Sequence, residues 1–397
     1  MHLALIGFLL ALVAGGVLFI VLARKKNMLH WLPNYVRQRL SSPKCDGPVH
    51  VLFCFVDHYE PQWKNKDNIE LERQRVDRWM RDYPAMASQF TDADGNHPKH
   101  SFFFPEEEYR HEHLAKLSDL CANGYGEIEI HLHHEDDTSD NLRKTLTNFA
   151  HTLHHEHGAL PLHPETGQIQ YAFIHGNWAL DNSHPDGKWC GVNDELIVLK
   201  ETGCYVDYTF PSAPHPTQPS TINSIYYAKD DPLKPKSHDK GVTARVGGKP
   251  WGDLLLINGP LMLNWKKRKF GLMPKIENSD IRTSNPPTPE RVDLWVKAGI
   301  HVKGRPEWRF IKIHTHGAQD TDMDTLLGEP VANMHRYLTS RYNDGEQYVL
   351  HYVSAREMYN IVKAAEAGET GNPTEFRDYV LNKPSFKGIA VSKKEES

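Results

Sequence analysis

Cysteine is scarce in this chain of 397 residues, and its few cysteines form no recognisable pattern. The count is odd, and no two of them stand in a Cys-x-x-Cys pair: Cys45, Cys54, Cys121, Cys190 and Cys204. A small fold held together by a disulfide framework is therefore not expected. We expect each cysteine to behave as a small buried hydrophobic residue, as free cysteines commonly do.

An excess of basic charge is also missing. The chain has 46 Lys and Arg residues against 51 Asp and Glu residues. A protein that binds nucleic acid through its phosphates carries a basic surface, so no nucleic-acid partner is expected. Hydrophobic residues make up 39% and charged residues 24%, which indicates a folded chain rather than a disordered one. Short internal repeats and low-complexity tracts are absent from the sequence.

One long hydrophobic run stands at the start of the chain. Leu3 to Ala23 contains no charged residue and is long enough to cross a bilayer core of about 30 Å. It lacks the basic start of a cleaved signal peptide, and the Arg-Lys-Lys of residues 24–26 follows it at once. Positive charge beside a membrane helix favours the cytoplasmic side. We expect residues 1–26 to be a single-pass anchor in the inner (cytoplasmic) membrane, residues 27–46 a basic juxtamembrane linker, and the large domain cytoplasmic. A signal peptide and a buried helix are the less favoured alternatives.

Strand-like runs recur along the rest of the chain, and helix-like patterns separate several of them. The runs are VHVLFCFVDH (49–58), SFFFP (101–105), EIEIHLHH (127–134), YAFIHG (171–176), CYVDYTFP (204–211), LLLINGP (254–260), FIKIHTHG (310–317) and YVLHYVSA (348–355). Apolar strands that alternate with helices are typical of a parallel sheet. The pattern predicts an α/β fold, a (β/α) barrel over residues 47–365 that is seven-stranded or irregular, with residues 212–250 as a loop insertion. Residues 366–397 are expected to form a frayed tail.

Histidine is abundant, with 25 residues, and its position along the strands suggests a role. In a parallel α/β barrel the active site lies where the strands end. Titratable and polar side chains stand at several of these ends: Asp57, His58, Glu60, His131, His133, His134, His175, Asn177, Trp178, Asp207, His314 and His316. A single histidine of this kind is usually solvated or caps a loop. Their convergence from distant segments predicts a functional site.

Alternation along a strand sharpens the prediction for the third run. His131 and His133 point to the same side of an extended segment, whereas the direction of His134 is open because the strand breaks there. A divalent metal ion is held by two or three such imidazoles and carboxylates, and a catalytic site leaves one position for water. The third run therefore predicts part of a metal site.

The motifs at these strand ends resemble those of the polysaccharide deacetylase superfamily of the NodB-homology type, over residues 49–355. That family ends its first strand in two aspartates, a base and a metal ligand. In FVDHYEP, Asp57 matches the base and His58 stands at the position of the metal ligand. The pair of metal-binding histidines after the family's third strand corresponds in IHLHHEDD to His131 with His133 or His134.

Two later motifs extend the resemblance. The family's Arg-x-Pro-Tyr loop corresponds to HGNWALDNS, which contains no arginine. Its late Leu-His motif is similar to KIHTHG, in which His314 or His316 would be the general acid. Substrate-binding residues are expected in the fourth and fifth runs: His175, Asn177, Trp178 and Asp207.

The resemblance implies a metal-dependent hydrolase that removes an acyl (N-acetyl) group from a carbohydrate or lipid-linked saccharide, with a divalent ion expected to be zinc. Two alternatives stay open. One is a glycoside hydrolase that uses two carboxylates, Asp57 with Asp207 or Glu60. The other is a non-catalytic subunit of a polysaccharide assembly system. The sequence does not indicate the oligomeric state.

Overall fold

The structure is a computed structural model that describes residues 2–41, 45 and 47–388. Its α-helices are α1 (His2–Lys25), α2 (Met28–Leu40), α3 (Ile69–Ala87), α4 (His111–Ala122), α5 (Ser139–His155), α6 (Glu195–Thr202), α7 (Pro289–Ala298), α8 (Asp320–Leu326), α9 (Glu329–Arg341) and α10 (Ala355–Ala367). Its strands are β1 (Val49–His58), β2 (His100–Pro105), β3 (Gly126–Leu132), β4 (Tyr171–His175), β5 (Cys204–Asp207), β6 (Ser224–Ala228), β7 (Val242–Thr243), β8 (Leu254–Asn258), β9 (Met262–Lys269), β10 (Met273–Glu277), β11 (Asp280–Ile281), β12 (Trp308–Thr315) and β13 (Tyr348–Tyr352).

Most strands belong to one large and mainly parallel sheet. Its order is β11-β12-β1-β2-β3-β4-β5-β8-β6-β7, and β13 also pairs with β1. The predicted closed (β/α) barrel is wrong, because closure requires the two end strands to pair and, over the described residues, β7 and β11 do not. The two-residue strand β11 stands at one end, and the antiparallel β6 and β7 stand at the other. Both of the latter lie within residues 212–250, which the sequence predicts as a loop.

The two faces of the sheet are covered by separate hydrophobic cores. Along β1, Phe55 belongs to the core that includes α3 and α4, whereas Val56 belongs to the core that includes α2 and α10. This alternation is the ordinary consequence of the extended backbone, in which successive side chains point to opposite faces. It continues to the end of the strand, so Asp57 and His58 also point to opposite faces.

The N-terminal helices differ from the expectation for this region. α2 packs on the body of the protein, with Trp31 and Tyr35 buried in one of the two cores. Its Asn34 side chain donates a hydrogen bond of 2.7 Å to the carbonyl of Ser220. Across the part of the chain that the structure describes, no helix combines the length and the hydropathy that crossing a bilayer requires. This finding contradicts the predicted anchor at residues 1–26 and the single-pass location in the inner membrane. The cytoplasmic assignment rested on that anchor and falls with it.

The segment after α10 lies against the body of the protein as far as residue 388. Leu381 is fully buried. Its carbonyl accepts hydrogen bonds from Arg356 Nη1 at 2.6 Å and from Asn360 Nδ2 at 2.8 Å. Residues 389–397, the end of the predicted tail, lie outside the described residues.

Candidate functional site

A buried carboxylate surrounded by imidazoles lies at the C-terminal ends of β1, β3 and β12. The Glu60 carboxylate is 3.5 Å from His131 Nε2, 3.2 Å from His133 Nε2 and 3.2 Å from His316 Nδ1. The ring of His58 stacks on that of His316, with centroids 4.6 Å apart, and meets the ring of His131 edge-on at 4.8 Å. We call these five residues the Glu60 cluster.

Strand geometry brings this cluster together. His58 ends β1, and Glu60 follows two positions later, which puts both side chains on the same side of an extended segment. β1 pairs with β12 on one side and with β2 on the other, and β2 in turn pairs with β3. Because these strands are parallel, His131 and His316 reach the same edge of the sheet.

The donor atoms of the cluster fit a divalent cation. Two overlapping sets, His58–Glu60–His316 and Glu60–His131–His133, each place their ligand atoms within 4.8 Å of one another. The Nδ1–H of His131 donates to the carbonyl of Ile174 at 2.7 Å, so the lone pair of Nε2 faces Glu60. This buried Nε2 makes no hydrogen bond. A metal-bound histidine typically donates its other N–H in this way, and an unmatched buried nitrogen is otherwise costly.

The electrostatics of the cluster also suit a cation. Burial by itself would raise the pKa of Glu60, but its contacts with the imidazoles of His131, His133 and His316 hold it well below its usual range. Burial lowers the pKa of His133, yet its hydrogen bonds to Glu107 and Glu60 outweigh this and raise it to about 10. A positive charge is therefore favoured here even without an ion. A bound metal would replace the proton on His133.

Solvent reaches the cluster from one side. The His133 side chain is 31% exposed, and that of Glu107, whose carboxylate lies 2.5 Å from His133 Nδ1, is 35% exposed. Glu60 is only 2% exposed. The indole of Trp63 lies 6.3 Å from the ring of His316. The arrangement is a buried group of potential metal ligands with one edge open to water.

Asp57, predicted as the catalytic base, is not part of this cluster. Its fully buried carboxylate points to the opposite face of the sheet from His58. There it accepts a hydrogen bond of 2.7 Å from His100 Nε2 and one of 2.5 Å from the N–H of Gly317. These contacts tie β1, β2 and the end of β12 together.

The other predicted proton-transfer residues lie on β12 and just beyond it. His316 belongs to the Glu60 cluster, whereas His314 lies deeper, with Nδ1 3.4 Å from Ser279 Oγ and Nε2 3.9 Å from Asp280 Oδ1. Burial lowers the pKa of His314 well below its usual value, and the charge of Lys312 adds to this effect.

Two further predicted residues belong to a second group of potential ligands. His134 and His175 lie together with Cys190 and Glu195, and the ligand atoms of these four residues are all within 4.8 Å of one another. We call this group the Cys190 cluster. The structure thus places His133 and His134, which are neighbours in the sequence, in different clusters. β3 ends at Leu132, so both residues lie beyond the strand.

The predicted substrate-binding residues are spread over three environments. His175 is in the Cys190 cluster. Asn177 and Trp178 follow β4 in the left-handed backbone region, with φ of 54° and 56°. They follow Gly176, where a Cβ atom would overlap the ring of His133. Asp207 is buried and accepts hydrogen bonds from Thr209 N at 3.0 Å and Thr209 Oγ1 at 2.6 Å, and it belongs to neither cluster.

Sequence reasoning misses several members of these clusters. The sequence places Glu60 among the strand-end residues and as a possible glycoside hydrolase carboxylate, but not among the metal ligands, although its spacing of two residues from His58 would have placed both on one face. No comparable spacing in the sequence relates Glu107 to the other residues of the Glu60 cluster. From the sequence, Cys190 is expected to be a small buried hydrophobic residue. The position of Glu195 is typical of an acidic residue near a helix N-terminus.

Comparison with known proteins adds little. No protein-family model matches the chain, and no curated protein is similar to it in sequence. Among solved structures, one from Mycobacterium smegmatis, whose protein carries the provisional name polysaccharide deacetylase, is similar at 13% identity. The match covers 83% of this chain and 94% of that one, with a TM-score of 0.39. A similarity of this degree does not assign the chain to a family or an activity.

Proposed function

We propose that this protein is a metal-dependent hydrolase that removes an acyl group, such as N-acetyl, from a carbohydrate. The observation that supports this most is the Glu60 cluster. Four imidazoles surround one buried carboxylate at the C-terminal ends of parallel strands, which is where α/β enzymes commonly carry their active sites.

The donor set favours zinc. Borderline-soft ions that accept imidazole and carboxylate ligands suit a site of this composition better than calcium or magnesium, which prefer oxygen alone. Such an ion would polarise the acyl carbonyl and lower the pKa of a water molecule. The residues that would hold it come from two overlapping sets, His58–Glu60–His316 and Glu60–His131–His133, and a set of three ligands leaves a position for water.

The chain's own groups hold these ligands in position. The carbonyl of Ile174 fixes the ring of His131, and Glu107 fixes that of His133 from the solvent side. Glu108, on the same turn after β2, is suited to donate a proton to the leaving amine. In the metal-free protein, burial raises its pKa to about 8, and the negative charges of Glu60 and Glu107 add to this.

The carbohydrate part of the proposal draws on the resemblance in the strand-end motifs and on two groups of aromatic rings, of which one touches the Glu60 cluster. Trp63 lies beside His316, and Trp178 and Trp189 both pack on the ring of His215, at 5.4 Å and 5.8 Å. Flat apolar rings with a polar edge suit the faces of sugar rings. The glycoside hydrolase alternative is less favoured, since Asp57 and Asp207 are both buried and satisfied by other partners.

The test is acetate release from N-acetylglucosamine oligosaccharides by zinc-loaded protein. We expect activity that a strong chelator removes and added zinc restores. Glu60→Gln is expected to lose both bound metal and activity, whereas Glu70→Gln, the same change on a carboxylate whose side chain is 69% exposed, is expected to lose neither. Full activity in the presence of chelator, or in Glu60→Gln, would overturn the proposal.

A further inference from the structure

The Cys190 cluster is assembled from four separate parts of the chain. His134 follows β3, His175 ends β4, Cys190 lies in the loop after β4, and Glu195 begins α6. The Glu195 carboxylate is 3.3 Å from His134 Nε2, 3.5 Å from His175 Nε2 and 3.3 Å from Cys190 Sγ. All four side chains therefore converge on one point.

The cluster is closed to solvent and incompletely satisfied. His175, Cys190 and Glu195 are fully buried, and the His134 side chain is 7% exposed. The Nδ1–H of His175 donates to the carbonyl of Gly176 at 2.5 Å, so the lone pair of its Nε2 faces Glu195. That nitrogen makes no hydrogen bond in the described structure, an arrangement that destabilises the folded protein unless a partner is supplied.

We propose that His134, His175, Cys190 and Glu195 bind a zinc ion in a structural site separate from the Glu60 cluster. Two imidazoles, a thiolate and a carboxylate make a four-ligand set of the kind that zinc prefers. Zinc–ligand bonds of about 2.0–2.3 Å in a tetrahedron place the ligand atoms about 3.3–3.8 Å apart, which agrees with the distances of 3.3 Å and 3.5 Å from Glu195 Oε1 to the two histidines. Cys190 Sγ lies 3.3 Å from the other carboxylate oxygen, Oε2. The ligand charges sum to −2, so a zinc ion leaves the buried site neutral.

Metal binding here is coupled to loss of a proton from Cys190 and of one from His134, because burial lowers the pKa of His134 but hydrogen bonds to Asp137 and Glu195 outweigh this and raise it to about 9. In the structure the Cys190 thiol lies 3.3 Å from Glu195 Oε2, to which it can donate, and burial together with the Glu195 charge raises the pKa of the thiol. As the zinc–sulfur bond forms, the sulfur–hydrogen bond breaks and the proton passes to solvent. All four positions of the ion are then filled by protein atoms, which leaves none for a substrate or a catalytic water.

The site would stabilise the loop between β4 and α6. This loop holds several non-glycine residues in the left-handed backbone region: Asn177, Trp178, Asp181, Asn182 and Trp189. The left-handed conformation is unfavourable for residues other than glycine, so the loop needs strong tertiary constraints. An ion at Cys190 and His175 joins the loop to the ends of β3 and β4 and to α6. It thereby fixes the part of the loop that carries Trp178 and Trp189.

Cobalt substitution of the full-length chain tests the site. Co²⁺ bound to a thiolate gives a sulfur-to-metal charge-transfer band in the near ultraviolet, and the Glu60 cluster contains no sulfur. We expect wild-type protein loaded with Co²⁺ to show the band. Cys190→Ala is expected to lose it together with one equivalent of metal, and Cys121→Ala, which removes a buried cysteine from a core elsewhere, is expected to keep both.

Two further variants separate this site from the proposed active site. Glu60→Gln is expected to keep the thiolate band even if it loses metal and activity. Cys190→His is expected to keep the metal but lose the band, which guards against a Cys190→Ala protein that does not fold. Absence of the band in Co²⁺-loaded wild type, or its persistence in Cys190→His, would overturn the proposal, and would mean that the cluster is a hydrogen-bonded group without an ion.

Discussion

Replacing Gly317 with alanine should destabilise the protein strongly, although the change adds only one methyl group. Gly317 follows His316 directly, and its N–H donates to Asp57 Oδ1 at 2.5 Å. Its carbonyl accepts a hydrogen bond of 2.9 Å from the indole of Trp79. A Cβ atom on Gly317 would overlap Asp57 Oδ2 and lie 2.7 Å from Trp79 Cζ2. Either the Asp57 carboxylate or the backbone after β12 must therefore move.

The size of the effect follows from two costs. Overpacking a dense interior costs about 1–3 kcal/mol. Moving the fully buried Asp57 carboxylate away from the Gly317 N–H leaves His100 as its remaining partner, and an unmet buried hydrogen bond adds about 1–3 kcal/mol. The total of about 2–6 kcal/mol is a large share of the 5–15 kcal/mol by which a typical domain is stable.

Urea unfolding followed by circular dichroism measures this directly. Gly47→Ala is the matched control, because a Cβ atom there has no neighbour within 4 Å, and it should change the free energy of unfolding by less than about 0.5 kcal/mol. Neither glycine lies in the left-handed backbone region, so the comparison isolates the steric clash. A Gly317→Ala protein as stable as wild type would refute the reasoning and the contacts assigned to Asp57.

Three other predictions test the site and the interior. Asp57→Asn should lower the free energy of unfolding by about 1–3 kcal/mol while acetate release per folded molecule stays close to wild type; a loss of about 100-fold or more with the fold intact would show that Asp57 acts in the reaction. His131→Ala should lose the metal of the Glu60 cluster and keep the cobalt–thiolate band. Elemental analysis measures the metal content, and an unchanged content would show that His131 is not a ligand. Glu129 is buried, and this raises its pKa from 4.5 to about 8, so the folded chain holds its proton at a pH where the unfolded chain has lost it. Wild-type stability should therefore fall as pH rises from about 5 to about 8, by about 1.4 kcal/mol for each unit of pKa difference at most, and Glu129→Gln should lack this fall in urea unfolding; equal pH profiles would contradict it.

The local pattern of the sequence was informative about the strands. β1 extends from Val49 to His58, as the apolar run predicts, and the runs around residues 101–105, 171–176 and 310–317 also contain strands. Strand periodicity is visible in the sequence because it depends on the backbone alone. Closure of the sheet depends instead on how the end strands meet. The polar segment 212–250 shows no strand pattern, although it contains β6 and β7. The sequence therefore predicts a barrel that the structure does not form.

For the site, the sequence determined which strand ends carry imidazoles and that His131 and His133 share a face. The same alternation could have predicted that Glu60 lies on the same face as His58, because the two residues are two positions apart. Only the tertiary structure decided that Asp57 points to the other face, and that Cys190 and Glu195 join His134 and His175. The physical reason is that side-chain direction is fixed locally within a strand. Which loop residues meet beyond its end depends on packing between segments far apart in the chain.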